Sequence, residues 1–310
     1  MPNKPALIIG DACVDLIIQV PEKSGNAQYN APPVLHGGGT GANTAGALAR
    51  LGQPTSFMGT IGDDGYGRFT VGTLEAEGID TSHITVASEA FTVQILALID
   101  QAGERTLFGW PRRGGAQAKL QPDAITPEVI EQMAWVHTTG ICLVESPSRE
   151  AVLRAMALAQ AVGIPVSFDI NLRLGFEEGK LPKPFLATIQ QAIQLSDFVF
   201  GSDTDEIAHL TPGLSPEAGG RVLSEGKRTI LIRLGDAGTL VISPNSEIAR
   251  IPAFQVEVVD TLGAGDVFNG GFIAAKLAGE SLSDAVRWGW AFHMWYRSIH
   301  ARHPAYLVST

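Results

Sequence analysis

The chain has 310 residues, of which 45% are hydrophobic and 17% charged, and its formal net charge is −10. That length suits one large α/β domain or two small ones with a sizeable core, and the balance excludes a disordered tail and a collagen-like fibre. The acidic balance argues against a phosphate-backbone footprint, so no nucleic acid is expected as a partner, while a small anion held by local charge stays open.

In chain order, Ala6–Ile9 reads as a strand, and Leu16–Val20 and Tyr29–Leu35 as two more around a turn at Ser24-Gly25-Asn26. Gly41–Leu51 reads as a helix, Ser56–Ile61 as a strand and Gly67–Glu77 as a helix. Phe91–Ile99 and Arg105–Trp110 flank Asp100-Gln101-Ala102-Gly103 as a hairpin. Strands Trp135–Thr138 and Val166–Ile170 then alternate with helices Arg149–Ala161 and Pro184–Leu195, followed by strands Phe198–Phe200, Ile230–Leu234 and Leu240–Ile242. Gly52, Gly78 and Gly163 stand just past three helices, where a left-handed C-cap wants glycine. A last helix starts near Ser281 with a capping-box pattern to Asp284, and Ala285, Trp288, Phe292, Trp295 and Ile299 form its apolar face, which a core helix explains.

Short, continuously apolar strands alternating with helices imply a mostly parallel sheet covered on both faces. The strands within about 12–36 and 88–115 break that rhythm and predict a small antiparallel sheet projecting from a single domain over residues 1–310. It would serve as a lid, a dimer surface or a simple flap. Cys13 and Cys142 form neither a disulfide framework nor a zinc spacing. The first apolar run is too short for a signal peptide, and no stretch reaches the ~20 apolar residues that span a bilayer. The expectation is a cytoplasmic protein with no membrane partner.

Chemistry concentrates in Val259-Asp260-Thr261-Leu262-Gly263-Ala264-Gly265-Asp266, which runs into a helical pattern through Ala278. Amides at such a helix start favour an anion, and small residues let a phosphate approach the backbone. Asp266 would then stand beside that phosphate and take a proton from an attacking hydroxyl, or it caps the helix and does nothing more. There is no Gly-x-x-x-x-Gly-Lys-[Ser/Thr] segment and hence no P-loop. Gly37-x-Gly39-x-x-Ala42 formally fits a dinucleotide fingerprint but does not follow the first strand, so hydride transfer is set aside. His293, His300 and His303 have no carboxylate at ligand spacing, and no metal site is assigned.

The Asp260–Asp266 string, together with Gly37-Gly38-Gly39-Thr40-Gly41-Ala42-Asn43, Gly10-Asp11-Ala12-Cys13-Val14-Asp15, Gly62–Gly67 and Leu234–Gly238, resembles the ribokinase-like (PfkB) family of carbohydrate kinases over essentially the whole chain. Asp169-Ile170-Asn171-Leu172-Arg173 and Trp110–Ala116 resemble the fructokinase and 2-keto-3-deoxygluconate kinase subgroup. The resemblance implies a three-layer α/β/α sandwich with a small β lid, and transfer of phosphoryl from ATP with Mg²⁺ to a hydroxyl of a sugar or sugar acid. It also implies a monovalent cation near the Asp260–Thr261 backbone, and the projecting strands leave a homodimer through the lid open.

By the same resemblance Asp266 is the base, and the amides of Gly263, Ala264, Gly265 and Asp266 form the anion hole. Asp15, Gly39 and Asn43 fall where the family binds substrate hydroxyls. Arg112 and Arg173 would clamp a carboxylate or several hydroxyls, unless Arg173 pairs with Glu177 and Arg112 faces solvent. Arg233, with Gly235 and Gly238, falls on the nucleotide side, or Arg233 is a surface strand-end arginine.

Two departures stand out. The family's Asn-x-x-Glu becomes Ser202-Asp203-Thr204-Asp205 with Glu206 adjacent, so Asp205 is assigned to the cofactor side with a shorter reach. Trp290-Ala291-Phe292-His293-Met294 replaces the small residues expected beside adenine, which leaves the phosphoryl donor open. Glu145 either approaches the sugar or caps the next helix. A catalytically degenerate sugar- or nucleotide-binding regulatory protein and a nucleoside kinase remain as alternative functions.

Overall fold

A computed structural model describes residues 4–19, 33–100, 105–111, 113–172, 181–245, 247–254 and 263–300, with the backbone alone at 105 and 293–300. Among them, Ala6–Ile9, Trp135–Thr139 and Val166–Asp169 are strands buried at every residue. A strand covered on both faces has no reason to alternate in polarity, which is why Ala6–Ile9 reads as an unbroken apolar run, and the buried His137 and Ser167 of the other two pair with each other at 2.8 Å. They belong to a sheet whose nine described strands run, across the sheet, Ile248–Ile251, Thr239–Ile242, Thr229–Arg233, Phe198–Ser202, Val166–Asp169, Trp135–Thr139, Ala6–Ile9, Thr55–Gly62 and Asp80–Ala87. Pairing is parallel from Asp80–Ala87 to Thr229–Arg233, and the last two strands are antiparallel.

The first strand shows how the layers form. Leu7 and Ile9 pack with Val152, Met156 and Ile189 of helices Ser148–Ala161 and Lys183–Gln194. Ala6 and Ile8 point the other way, to Leu48, Phe272 and Val286 of helices Thr40–Arg50, Ala264–Leu277 and Leu282–His300. Period-two side chains thus feed two cores on opposite faces, giving the α/β/α sandwich. Phe200, Phe268 and Phe272 are at most 1% exposed and meet edge to face with centroids 5.2 and 6.3 Å apart. Each contributes roughly 1.5–3 kcal/mol on burial, which fixes the Ala264–Leu277 helix against the sheet.

The last helix departs from its predicted stripe. Trp288 is 42% exposed, while Trp290 is buried and donates its indole N–H to Thr239 Oγ1 at 3.0 Å. An indole enters a core where its donor finds a partner, and that partner lies on a distant strand. Trp295 and Ile299 belong to side chains outside the described set.

A second sheet holds Val34–Gly38, Cys13–Gln19, Val93–Ile99 and Arg105–Trp110 in that order. It is mixed, not antiparallel: Cys13–Gln19 and Val93–Ile99 run parallel, and the flanking strands are antiparallel to them. Both central strands leave the large sheet from the carboxyl side of its strands, so both run outward. Residues 20–32, which contain the predicted turn, lie outside the described set. No described helix is long and apolar enough to cross a membrane.

Candidate active site

The strand order reverses at Ala6–Ile9, which has Trp135–Thr139 on one side and Thr55–Gly62 on the other. Chains that continue beyond the carboxyl ends of neighbouring strands diverge there and leave a crevice. Asp11 follows the first strand into it. Its carboxylate accepts Thr40 Oγ1–H at 2.6 Å, and the amides of Thr40 and Gly41 at 3.2 Å each, so it caps the Thr40–Arg50 helix from another element. Gly39 precedes that helix with φ 108°, and a Cβ there would stand 2.6 Å from the Asp11 carbonyl oxygen, so only glycine brings the two loops together.

Asn43, one turn into the helix, donates from Nδ2 to Asp266 Oδ2 at 2.9 Å, and Thr44 Oγ1 donates to the Asp266 carbonyl at 3.1 Å. Asp266 is the third residue of the Ala264–Leu277 helix, behind Gly263 in the left-handed conformation. The amides of Gly265 and Asp266 have no carbonyl four residues back within the helix. Burial pushes the Asp266 carboxyl well above the ordinary carboxylate range. The Asn43 hydrogen bond and Arg233 oppose that shift, and the charges of Asp169 and Asp11 add to it. A buried carboxylate with a raised proton affinity at a helix N-terminus is suited to accept a proton.

Two cavities meet at this residue. One, of about 340 Å³, lies under the small sheet and takes Asp15, Gly39, Asn43 and Gln117 with Gly263 and Asp266. The other, of about 870 Å³, takes Asp205, Glu206, Arg233 and Gly235 with Gly263, Ala264, Gly265 and Asp266. Gly263 and Asp266 line both. Burial raises the Asp15 carboxyl to about 6; a Cys13 thiol contact opposes the shift and the charge of Asp11 adds to it.

The larger cavity departs from the sequence reading in three places. Arg233 is not a surface residue, and its guanidinium is held by Asp169 Oδ1 at 2.9 Å and Asn269 Oδ1 at 3.1 Å, with Glu206 Oε2 at 3.8 Å. It packs beneath Gly265, whose added Cβ would stand 3.2 Å from the guanidinium carbon. Glu206, rather than Asp205, is the buried acid: it accepts the Ser202 amide at 2.6 Å and the Leu172 amide at 3.1 Å, while Asp205 is exposed. The segment Asp203–Ile207 is a π-turn, which absorbs one residue more than Asn-x-x-Glu allows and turns the glutamate inward. Gly238 does not line either cavity; it closes the turn in which Leu234 N–H donates to its carbonyl at 2.8 Å, and a Cβ would strike the Ile251 carbonyl.

Trp290 and Phe268 stand on the wall of this cavity, and Asn171 lines it with a left-handed φ of 36°. Glu145 lines neither of these two cavities, and both its oxygens accept the Gly114 amide, at 3.0 and 3.3 Å. Arg112, Arg173 and Glu177, and the Asp260–Thr261 segment, lie outside the described residues. Residues not assigned from sequence are Asp11, Gln117, Asp169 and Glu206. The first and third sat in quoted motifs, and all four needed long-range partners to be recognised.

Fold and site together are those of a ribokinase-like phosphotransferase with a hydroxyl acceptor. The model of the pfkB family of carbohydrate kinases matches residues 4–296, and the chain belongs to that family. The fructokinase of Klebsiella pneumoniae is 31% identical over 288 residues, 89% of this chain and 85% of that protein. The aminoimidazole riboside kinase of Salmonella typhimurium is 32% identical over 267 residues, 86% of this chain and 79% of its own. The crystal structure of the apo fructokinase from Vibrio cholerae superposes with a TM-score of 0.81 at 29% identity, covering 96% of this chain and 99% of that one.

Proposed function

We propose that this chain transfers the γ-phosphoryl group of ATP to a hydroxyl of a small sugar or sugar acid, with Asp266 as general base. The observation that carries the reading is the shared boundary: an acceptor cavity and a donor cavity have Asp266 and Gly263 in common. An acceptor hydroxyl in the smaller cavity gives its proton to the Asp266 carboxylate as its oxygen bonds to phosphorus. The bond from phosphorus to the β,γ-bridging oxygen breaks, and that electron pair leaves with ADP. The first-turn amides of the Ala264–Leu277 helix face the charge that develops, and the Arg233 guanidinium beneath Gly265 offsets the nearby charge of Asp169.

The donor cavity also fits hydrated Mg²⁺. Asp205 offers a hard oxygen there, and Ser202 Oγ is buried without a partner. Among the described residues no group of three metal ligands stands together. When bound, the ion would offset phosphate charge.

The chain acts as a single domain, and its small sheet is a lid over the acceptor cavity. The outward row of that sheet, Leu35–Leu16–Leu96–Phe108, is apolar across four strands, with Leu35 40% and Phe108 53% exposed. A second copy of the chain covers this row in a homodimer. A cytoplasmic location accords with its substrates.

Substituting Asp266→Asn tests the assignment. Turnover should fall by at least 10³-fold, a value in the range of a general base plus its electrostatic role, while acceptor binding by calorimetry persists. Phosphorylation at the parental rate would remove Asp266 from the mechanism. Retained binding with no turnover in the parent protein would instead favour the regulatory reading.

A further inference from the structure

Among the described residues, the polar side chains on the acceptor cavity are Asp11, Asp15, Thr40, Asn43, Gln117 and Asp266, and the rest of its side chains are apolar apart from Cys13. Asp11, Thr40, Asn43 and Asp266 form its floor, and Asp15 stands on the Cys13–Gln19 strand of the small sheet. Register then fixes what lies beyond. Asp15, Ile95 and Gly109 are neighbours in one row across three strands, and Ile17, Ala97 and Leu107 form the next row on the same face. Two residues along a strand advance about 7 Å, so the second row begins roughly one sugar ring beyond Asp15. All three of its side chains are apolar and line the cavity, with Ile99 one step further out.

Ile141, on the turn after Trp135–Thr139, faces the same cavity from the main body. Among the described residues the result is an apolar slot between a sheet face and Ile141, continuous with a carboxylate-lined floor. Leu107 is 51% exposed there.

A free monosaccharide whose reacting hydroxyl reaches Asp266 and whose other hydroxyls reach Asp15 would leave this slot without an apolar occupant. Resting on the phosphoryl-transfer part of the kinase reading above and replacing its bare acceptor, we infer that the acceptor is a glycoside: a sugar that carries an uncharged planar heterocycle, as in a riboside. The sugar lies on the polar floor and the ring lies flat against Ile17, Ile95, Ile99 and Leu107. Apolar burial of that ring then drives binding, and the hydroxyl contacts orient the reacting oxygen.

The test is steady-state phosphorylation with ATP and Mg²⁺. The acceptors are three ribosides (inosine, adenosine and aminoimidazole riboside) and three bare compounds (ribose, fructose and 2-keto-3-deoxygluconate). The best riboside should exceed every bare compound at least tenfold in kcat/KM. In Leu107→Ser, whose folding is checked by an unchanged thermal midpoint, the ratio of riboside to ribose kcat/KM should fall at least fivefold, through KM. A bare compound that matches or exceeds the ribosides, or a ratio unmoved by Leu107→Ser, overturns the inference and leaves the kinase reading standing. Silence across all six acceptors overturns both.

Discussion

Asp266 has its proton affinity set by four other elements. Burial raises it, the Asn43 amide lowers it from the neighbouring helix, and charges on Asp169, Asp11 and Arg233 act from three strand ends. Only the ionised form accepts a proton, so kcat/KM should rise with pH through the raised pKa and level above it. The acid limb should lie well above the ordinary aspartate range. A limb near pH 4 in the pH–rate profile would show that another group governs the step.

Asp15 makes a separate, thermodynamic prediction. Its folded pKa of about 6 exceeds the ordinary 3.8, so the folded state holds the proton more tightly than the unfolded chain. Its charge costs nothing below about pH 4, and stability is lost progressively as pH rises to about 6. At ~1.4 kcal/mol per unit the loss reaches up to about 3 kcal/mol. Asp15→Asn should therefore melt higher than the parent at pH 7.5, with the gap closing toward pH 4, while acceptor KM rises. Equal midpoints at pH 7.5 would show that the carboxylate is not strained. Stability sacrificed at a site is expected where function needs a buried charge.

The Ala264–Leu277 helix and the strand ends beneath it form one electrostatic unit. Arg233 joins Asp169 of one strand, Asn269 of the helix and Glu206 of the π-turn. Arg233→Ala leaves two buried carboxylates without their cation, which costs about 3–5 kcal/mol in stability. Because Arg233 also lowers the Asp266 pKa, the acid limb of kcat/KM should move to higher pH in the variant. A destabilised variant with an unmoved limb would confine Arg233 to a structural role.

At this level the sequence was legible where the chemistry is local. Gly52, Gly78 and Gly163 do follow their helices with positive φ, because a C-cap depends on the few residues around it. The inward turn of Glu206 was not legible, since an inserted residue can be absorbed as a bulge or a longer loop. Packing against Leu172 and Arg233 decides which. The edge strands Asp80–Ala87 and Ile248–Ile251 were missed for a related reason: half-exposed, they lack the continuous apolar signal of the central strands.

The small sheet has two working faces. Its inner face lines the cavity that ends at Asp266, and on the dimer proposal its outer row of Leu35, Leu16, Leu96 and Phe108 meets a partner copy. Phe108→Glu should convert the dimer to a monomer in light-scattering chromatography, because a charge buried in an apolar interface is left unpaired. A parent protein that runs as a monomer would end the dimer reading.

The alternation of apolar strands with capped helices was enough to define the architecture, and the glycine-rich helix start bearing a carboxylate, with the other motifs of the chain, was enough to point to the kinase family. Those features arise from backbone sterics and from spacing within a few residues, which a linear chain states outright. Three matters were settled only by folding: that Asp266 stands between two cavities, that Arg233 is spent on Asp169 and Asn269, and that the central strands of the small sheet run parallel. Each depends on groups far apart in the chain, and the energy of such contacts is defined only when the whole core has closed around them.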